Sequence, residues 1–211
     1  MIKRIFFLVI TLFIATAQAQ DAKHLLDEVS TKVRSYDNIV IGFKYALNNP
    51  AENVSQETRG DVTLLGDKYL LNLMGTEQMY DGKKLHIIIP EDEEINISSQ
   101  NAEDDASVTP SKMLTFYEDG YTSKLDIVQD VQGRKIQFVK LVPIDSKSEL
   151  KEILLGIDKQ TKHIYKLVLM QNNGTNITIT VSSFKTNQPL SKTLFVFDES
   201  KYGNYYINRL D

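Results

Sequence analysis

The stretch GDVTLLGDKYLL, residues 60–71, carries the pattern that decides the fold. Apolar residues occupy every second position on both sides of Gly66-Asp67, with Val62 and Leu64 before it and Tyr69 and Leu71 after it. A period of two is typical of a β-strand with one apolar face, and a Gly-Asp pair between two such runs is typical of a tight hairpin turn. The stretch therefore predicts a β-hairpin.

The same strand-turn-strand pattern repeats on both sides of this hairpin. Turn signals occur at Asp81-Gly82, at Gln132-Gly133 and at Asn172-Asn173-Gly174, and the last predicted strands are Phe195–Asp198 and Tyr205–Arg209. The links between strands are too short for crossover helices, so the strands must be antiparallel. About eleven strands are predicted, and a twisted sheet of that size is expected to curl.

Two segments have a helical pattern instead. Residues 21–35 place apolar residues three and four positions apart, and Thr109-Pro110 offers an N-cap and a first helical residue for a short helix. We therefore predict a mainly β fold with an α-helical lid. Its curved antiparallel sheet forms an unclosed β-barrel of about eleven strands, covered by short helices.

The first nineteen residues have the pattern of a secretory signal peptide. Lys3 and Arg4 precede an apolar run from Ile5 to Ile14, and Ala17-Gln18-Ala19 supplies small residues for signal peptidase. The run is shorter than the roughly 20 apolar residues that span a bilayer. We expect residues 1–19 to be a signal peptide and residues 20–211 a single domain, exported to the periplasm.

Composition excludes several function classes. The 211 residues contain no cysteine, which excludes disulfides, thiolate metal sites, cysteine nucleophiles and a lipidated cysteine. The net charge is -4 and no cluster of Lys and Arg occurs, so we expect no nucleic-acid partner. The absence of disulfides is typical of a bacterial periplasmic protein more than of a eukaryotic secreted one.

No set of residues has catalytic or metal-ligand spacing. His24, His86 and His163 lie far apart, and the acidic runs 91–94 and 103–105 lack the ligand pattern of a calcium loop. We therefore expect no metal, no cofactor and no enzymatic activity, with a periplasmic hydrolase as the less favoured alternative. Several strands are instead apolar on both faces, which favours a cavity for a hydrophobic ligand.

A series of short motifs follows in order along the chain: GDVTL (60–64), GDKYLL (66–71), DGKKL (81–85), IP (89–90) and INI (95–97). This series resembles LolA, the family of periplasmic outer-membrane lipoprotein carriers. Flanking features extend the resemblance to a helix ending near Ser35-Tyr36, a strand around Phe43, the Thr109-Pro110 helix start and the late FVF segment at 195–197.

The resemblance implies an unclosed barrel with a helical lid over a hydrophobic cavity. It also implies a carrier that takes acylated lipoproteins from an inner-membrane ABC transporter to an outer-membrane acceptor. We expect a monomer. The sheet residues expected to contact lipid are Phe43, Tyr45, Leu64, Tyr69, Leu71, Leu73, Leu85, Ile87 and Ile89. The lid residues expected to cover them are Leu25, Leu26, Val29, Met113, Leu114 and Phe116.

Two points stay open at this level. Sequence does not say which strand face lines the cavity, and the arginine that the family uses to hold its lid aligns with Gly66. The same fold could bind another lipid or act as a lipoprotein sensor.

Overall fold

A computed structural model describes residues 20–99 and 109–210 of the chain. The predicted signal peptide, residues 1–19, and the acidic run 103–105 lie outside the described residues. Within the described residues, no helix is long and apolar enough to cross a membrane.

The described chain is mainly β, with helix α1 over residues 20–34 and twelve strands. Single-turn 3₁₀ segments cover Lys112–Leu114, Phe116–Glu118 and Glu199–Tyr202. The strands are β1 Ile39–Asn49, β2 Val54–Leu65, β3 Lys68–Leu73, β4 Thr76–Tyr80, β5 Lys84–Ile89, β6 Glu94–Ser99, β7 Tyr121–Val131, β8 Arg134–Pro143, β9 Leu150–Asp158, β10 Ile164–Gln171, β11 Asn176–Thr186 and β12 Tyr206–Arg209.

All twelve strands belong to one sheet in the order β12-β6-β5-β4-β3-β2-β1-β11-β10-β9-β8-β7. β7 and β12 each have a single neighbour in this order, so the sheet does not close. The fold class predicted from sequence is confirmed, with two differences. β12 runs parallel to β6, and the predicted strand Phe195–Asp198 is irregular, because its Phe197 side chain packs on β5 and β6 instead of its backbone pairing.

The chain forms two compact units. The described part of the first unit comprises residues 20–33, 47–55 and 117–179, and that of the second comprises 34–46, 56–99, 109–116 and 180–210. The prediction of a single domain over residues 20–211 stays a prediction.

The first unit has a dense apolar core. Val139 lies opposite Leu155, and Leu141 lies opposite Ile153, on adjacent strands β8 and β9. All four side chains are fully buried. Helix α1 buries one stripe of its surface, formed by Ala22, Leu26, Val29 and Ser30. Such a stripe is the expected result of apolar residues at steps of three and four in a helix that packs on one side.

Two polar contacts hold helix α1 within this unit. The Ser30 hydroxyl donates to the Tyr117 hydroxyl at 3.1 Å. The Lys162 ammonium donates to Glu28 Oε2 at 2.6 Å. This hydrogen bond from Lys162 holds the pKa of the Glu28 carboxyl below its ordinary value, against the opposing effect of burial.

The Glu28 contact predicts a pH-dependent contribution to stability. Because its folded-state pKa is lowered, the pair stabilises the fold above the unfolded-state pKa of Glu28 and loses that effect as pH falls through the folded-state value. Both side chains are about one-third exposed, so the contribution stays below about 1 kcal/mol. Thermal unfolding of Glu28→Gln should show a lower Tm than the parent at pH 7, and the difference should vanish in acid. Glu149→Gln, at an exposed residue of the same unit, serves as the control. A pH-independent difference for Glu28→Gln would contradict the assignment.

In the second unit, the C-terminal segment covers one face of β5 and β6. Ile88, Ile95 and Ile97 are buried there, and Phe197, Tyr202, Tyr205 and Ile207 pack against them. His86 is also buried on this face and stacks on Phe197, with 4.5 Å between ring centroids. This histidine therefore contributes to the core, in line with its lack of any ligand spacing in the sequence.

Candidate functional site

The register of the second unit divides its side chains between two faces, which we call face A and face B. Two tight turns set this register: Gly66-Asp67, where Gly66 has a φ of 56°, and Asp81-Gly82, where Asp81 Oδ1 accepts from the backbone N–H of Lys83 and Lys84 at 2.8 Å. Residues directly opposite each other on adjacent strands share a face, and faces alternate along each strand. The assignment of each side chain follows from these pairs.

Face A carries a mainly apolar surface across β2 to β5, in which Gln78 is a polar member. One cross-strand row consists of Leu64, Tyr69, Tyr80 and Leu85, and the row two residues away consists of Val62, Leu71, Gln78 and Ile87. Leu73 and Ile89 continue the alternation by one further row. Seven of the nine predicted sheet residues therefore lie on face A.

Strand β1 adds the other two. A Cβ atom built on Gly60 would lie 2.7 Å from Cζ of Phe43, so the Phe43 ring lies over Gly60. Gly60 pairs with Leu73 and therefore points to face A, which places Phe43 on the same face. Tyr45 follows two residues later in β1 and shares this face. Burial raises the pKa of the Tyr45 phenol, which keeps the side chain neutral.

Burial varies along face A in a way that suits ligand binding. Phe43, Leu64 and Tyr69 are buried, whereas Leu71, Leu73, Leu85, Ile87 and Ile89 are half-buried. In a closed core, large aliphatic side chains are completely buried, as they are on β8 and β9 in the first unit. A half-buried aliphatic surface is one that a hydrocarbon ligand could cover favourably.

Polar side chains border face A at β6 and β12. Asn96 lies opposite Ile87, and Asn208 lies opposite Asn96. Asn208 Nδ2 donates to Asn96 Oδ1 at 3.0 Å, and Asn96 Nδ2 donates to Glu94 Oε1 at 2.8 Å. The apolar surface therefore ends at β5 and gives way to a hydrogen-bonded polar edge.

Comparison of the sequence with known protein families identifies the family of this chain. Residues 77–198, more than half of the chain, match the family described as outer membrane lipoprotein carrier protein LolA. The chain belongs to this family. The resemblance predicted from the motifs is thereby confirmed, and no curated protein matches the chain.

Solved structures similar to this LolA family member have low sequence identity to it. An uncharacterized conserved protein from Thermus thermophilus has a TM-score of 0.56 at 12% identity, covering 90% of this chain and 99% of that one. Lipoprotein LppX from Mycobacterium tuberculosis has a TM-score of 0.52 at 12% identity, covering 82% and 98%. A LolA superfamily protein from Nitrosomonas europaea has a TM-score of 0.43 at 12% identity, covering 84% and 98%. At such identities the first two likenesses support the fold alone.

The predicted lid residues are divided between the two units. Leu25, Leu26 and Val29 belong to helix α1 of the first unit, where Leu26 and Val29 are buried and Leu25 is half-buried. Met113, Leu114 and Phe116 belong to the second unit, and Leu114 is buried. The role of both groups as a lid stays a prediction.

The segment after Pro110 contacts the turn between β2 and β3. Gly66, which we expect at the position of the family's arginine, has a left-handed backbone, and among the described residues no heavy atom outside its chain neighbours lies within 4 Å of a Cβ built on it. One residue further, the Asp67 carbonyl accepts a hydrogen bond from the Ser111 hydroxyl at 3.3 Å. Thr109 Oγ1 accepts from the Lys112 N–H at 3.3 Å. The 3₁₀ turn itself begins at Lys112 with Ser111 as its N-cap, so the prediction of Thr109 as N-cap and Pro110 as first helical residue is wrong.

Sequence reasoning missed Val62 and Tyr80 on face A. Val62 lies two residues from Leu64 in the same strand, so the alternation already contained it. Tyr80 pairs with Tyr69, with 5.7 Å between ring centroids, and this contact required the register between β3 and β4.

Gly60 offers a test of the packing on face A. A Cβ there would approach both the Phe43 ring and the Asn72 carbonyl oxygen to 2.7 Å. Gly60→Ala should therefore lower the free energy of unfolding by about 1–3 kcal/mol, as measured by denaturant titration. Gly203→Ala is the matched control, since no atom of the described part of the chain outside its neighbours lies within 4 Å of its Cβ position and its φ is -58°. Equal stability of the two variants would contradict the placement of Phe43 over Gly60.

Proposed function

We propose that this chain is a periplasmic carrier that shields the acyl chains of lipoproteins on face A and takes them from the inner to the outer membrane. Family membership supports a carrier of this class. The single observation that carries the proposal is that all nine predicted sheet residues share face A while six of them, Tyr45 included, remain half-buried.

The energetics explain why such a surface is needed. Burying hydrocarbon gains about 0.8 kcal/mol per CH₂ group, so a chain of about 15 carbons would cost on the order of 12 kcal/mol to leave in water. Most leucine and isoleucine side chains of face A are partly exposed. An acyl chain bound there would remove their exposed parts from water together with its own surface. A polar border at β6 limits where the hydrocarbon can lie.

The remaining parts of the proposal follow from this role. The carrier is exported through cleavage of residues 1–19 and works as a monomer. Its cargo is an acylated lipoprotein, its donor is an inner-membrane ABC transporter, and its recipient is an outer-membrane acceptor. The segment 109–116, in which Ser111 donates a hydrogen bond to the Asp67 carbonyl at 3.3 Å, acts as part of a lid that moves when the cargo enters.

Native mass spectrometry of protein purified without detergent from its host tests this function. We expect the full chain to carry one acylated polypeptide. Free lipids in its place would support the same fold acting on another cargo, and would overturn lipoprotein carriage. An empty protein that hydrolyses an ester substrate would overturn both.

A further inference from the structure

Strand β2 is twice as long as its neighbour β3, which leaves part of its edge without a partner. β2 covers Val54–Leu65, whereas β3 covers Lys68–Leu73. The pairing ends at Gly60 opposite Leu73. Among the described strands, none pairs with Gln56–Arg59 on the β3 side. We call this free edge, next to the β3–β4 turn, the notch.

The turn between β2 and β3 determines which backbone groups face the notch. Gly66-Asp67 is a two-residue turn closed by Leu65 and Lys68, and such a closing pair exchanges both backbone hydrogen bonds. Hydrogen-bonded pairs then recur at every second residue, so the odd-numbered residues of β2 point their N–H and C=O groups toward β3. Beyond Gly60, the groups of Glu57 and Arg59 point into the notch.

The Arg59 carbonyl has a weak local hydrogen bond. It accepts from the hydroxyl of the adjacent Thr58 at 3.4 Å, which is longer than the usual O–H···O distance. A strand added at the notch would supply a better donor.

A groove of about 430 Å³ lies at the closed end of the notch. Its size is within the range of about 300–1,000 Å³ typical of ligand sites. Residues 58–61 of β2, residues 72–77 around the β3–β4 turn and Pro90 line it. The side chains of Asp61, Asn72 and Glu77 lie on face B, opposite the apolar surface, as the register shows.

The charges of the groove favour a polypeptide over a lipid chain. Asp61 accepts from Asn72 Nδ2 at 2.9 Å, and Glu57 pairs with Lys44. Arg59 and Glu77 form no ion pair with the described residues. Free backbone amides and carbonyls recognise another backbone, and Glu77 would favour a cationic side chain.

We infer that the notch binds an extended segment of a partner polypeptide, which adds to β2 as a strand and presents a basic side chain to Glu77. The groove shares Gly60 and Leu73 with the edge of face A, but the backbone edge of Gln56–Arg59 lies outside the apolar rows, and its test does not depend on lipid binding. Main-chain hydrogen bonds would supply affinity and the alternating side chains specificity, as in other cases of strand addition.

A tethered peptide tests the inference directly. The chain has no cysteine, and Met74 is 44% exposed in the turn beside the notch. We would join the peptide acetyl-Cys-Gly-Thr-Lys-Thr-Lys-Thr-amide to a Met74→Cys variant by a disulfide, which raises its effective concentration. NMR-detected hydrogen exchange then follows the amides of Glu57 and Arg59. We expect their exchange to slow by at least about tenfold relative to the protein that carries cysteine alone.

Three controls make the outcome decisive. The peptide with proline in place of threonine should give no protection, because it lacks the required donors. Arg59→Pro should abolish protection of the Glu57 amide and Arg59→Ala should keep it, since proline removes the notch-facing N–H of residue 59. Glutamate in place of lysine in the peptide should reduce protection.

The inference would be overturned if the threonine–lysine peptide did not slow amide exchange, or if it and its proline version slowed exchange equally. Protection in the untethered parent together with a dimeric mass in light scattering would also overturn it, because a second copy would then occupy the notch.

Discussion

Leu71→Glu should abolish the retention of acylated cargo. Leu71 lies in the middle of face A, between Val62 and Gln78, and is half-buried. A carboxylate against hydrocarbon costs several kcal/mol, and about 3 kcal/mol is already roughly 100-fold in affinity. The amount of bound lipid after detergent-free purification, measured by mass spectrometry against the parent, gives the result.

Leu70→Glu is the matched control for this substitution. Leu70 is the adjacent residue of β3, is also half-buried and points to face B, where it pairs with Met79. We expect this variant to retain cargo at the level of the parent, provided that circular dichroism shows both variants folded. Loss of cargo in Leu70→Glu with retention in Leu71→Glu would mean that face B binds the lipid.

Phe197→Ala should produce the largest loss of stability in the second unit. Its ring stacks on His86 at 4.5 Å and on Tyr202 at 5.5 Å, so it joins the C-terminal segment to β5. Removing a buried aromatic ring typically costs 3–5 kcal/mol, and a half-buried one should cost about 2–4 kcal/mol. Denaturant titration measures the loss. Hydrogen exchange at Ile207 and Arg209 should become faster, because β12 loses its support.

Val196→Ala is the control for this effect. Val196 is the neighbouring residue and is 58% exposed, so its loss should change stability by less than about 0.5 kcal/mol. An equal effect of the two substitutions would contradict the packing of Phe197 on the core.

That the nine sheet residues share one face could be predicted from the sequence. Alternation fixed the face within each strand, and the turns at Gly66-Asp67 and Asp81-Gly82 allowed tight hairpins that keep even and odd residues in register. Which face is left open could not be predicted, because adjacent residues such as Leu70 and Leu71 are both apolar and point to opposite faces. The C-terminal segment decides it by covering face B at Ile88 and Ile95.

Features that depend on contacts distant in sequence were missed. The alternation at Phe195 and Phe197 predicts a strand, but the segment is irregular because the Phe197 ring packs on β5 and β6. The parallel pairing of β12 with β6 joins residues more than 100 positions apart, such as Asn208 and Asn96. No local pattern encodes a pairing of that kind.

The position of a bound acyl chain relative to face A tests the central claim most directly. A lipoprotein with a nitroxide near the middle of one acyl chain would be bound to the methyl-labelled protein, and NMR would record paramagnetic broadening. We predict strong broadening of the methyl groups of Leu71, Leu85 and Ile87 and much weaker broadening of Leu70 and Ile88, their neighbours on face B. Stronger broadening of Leu70 and Ile88, or none at either face, would contradict the account.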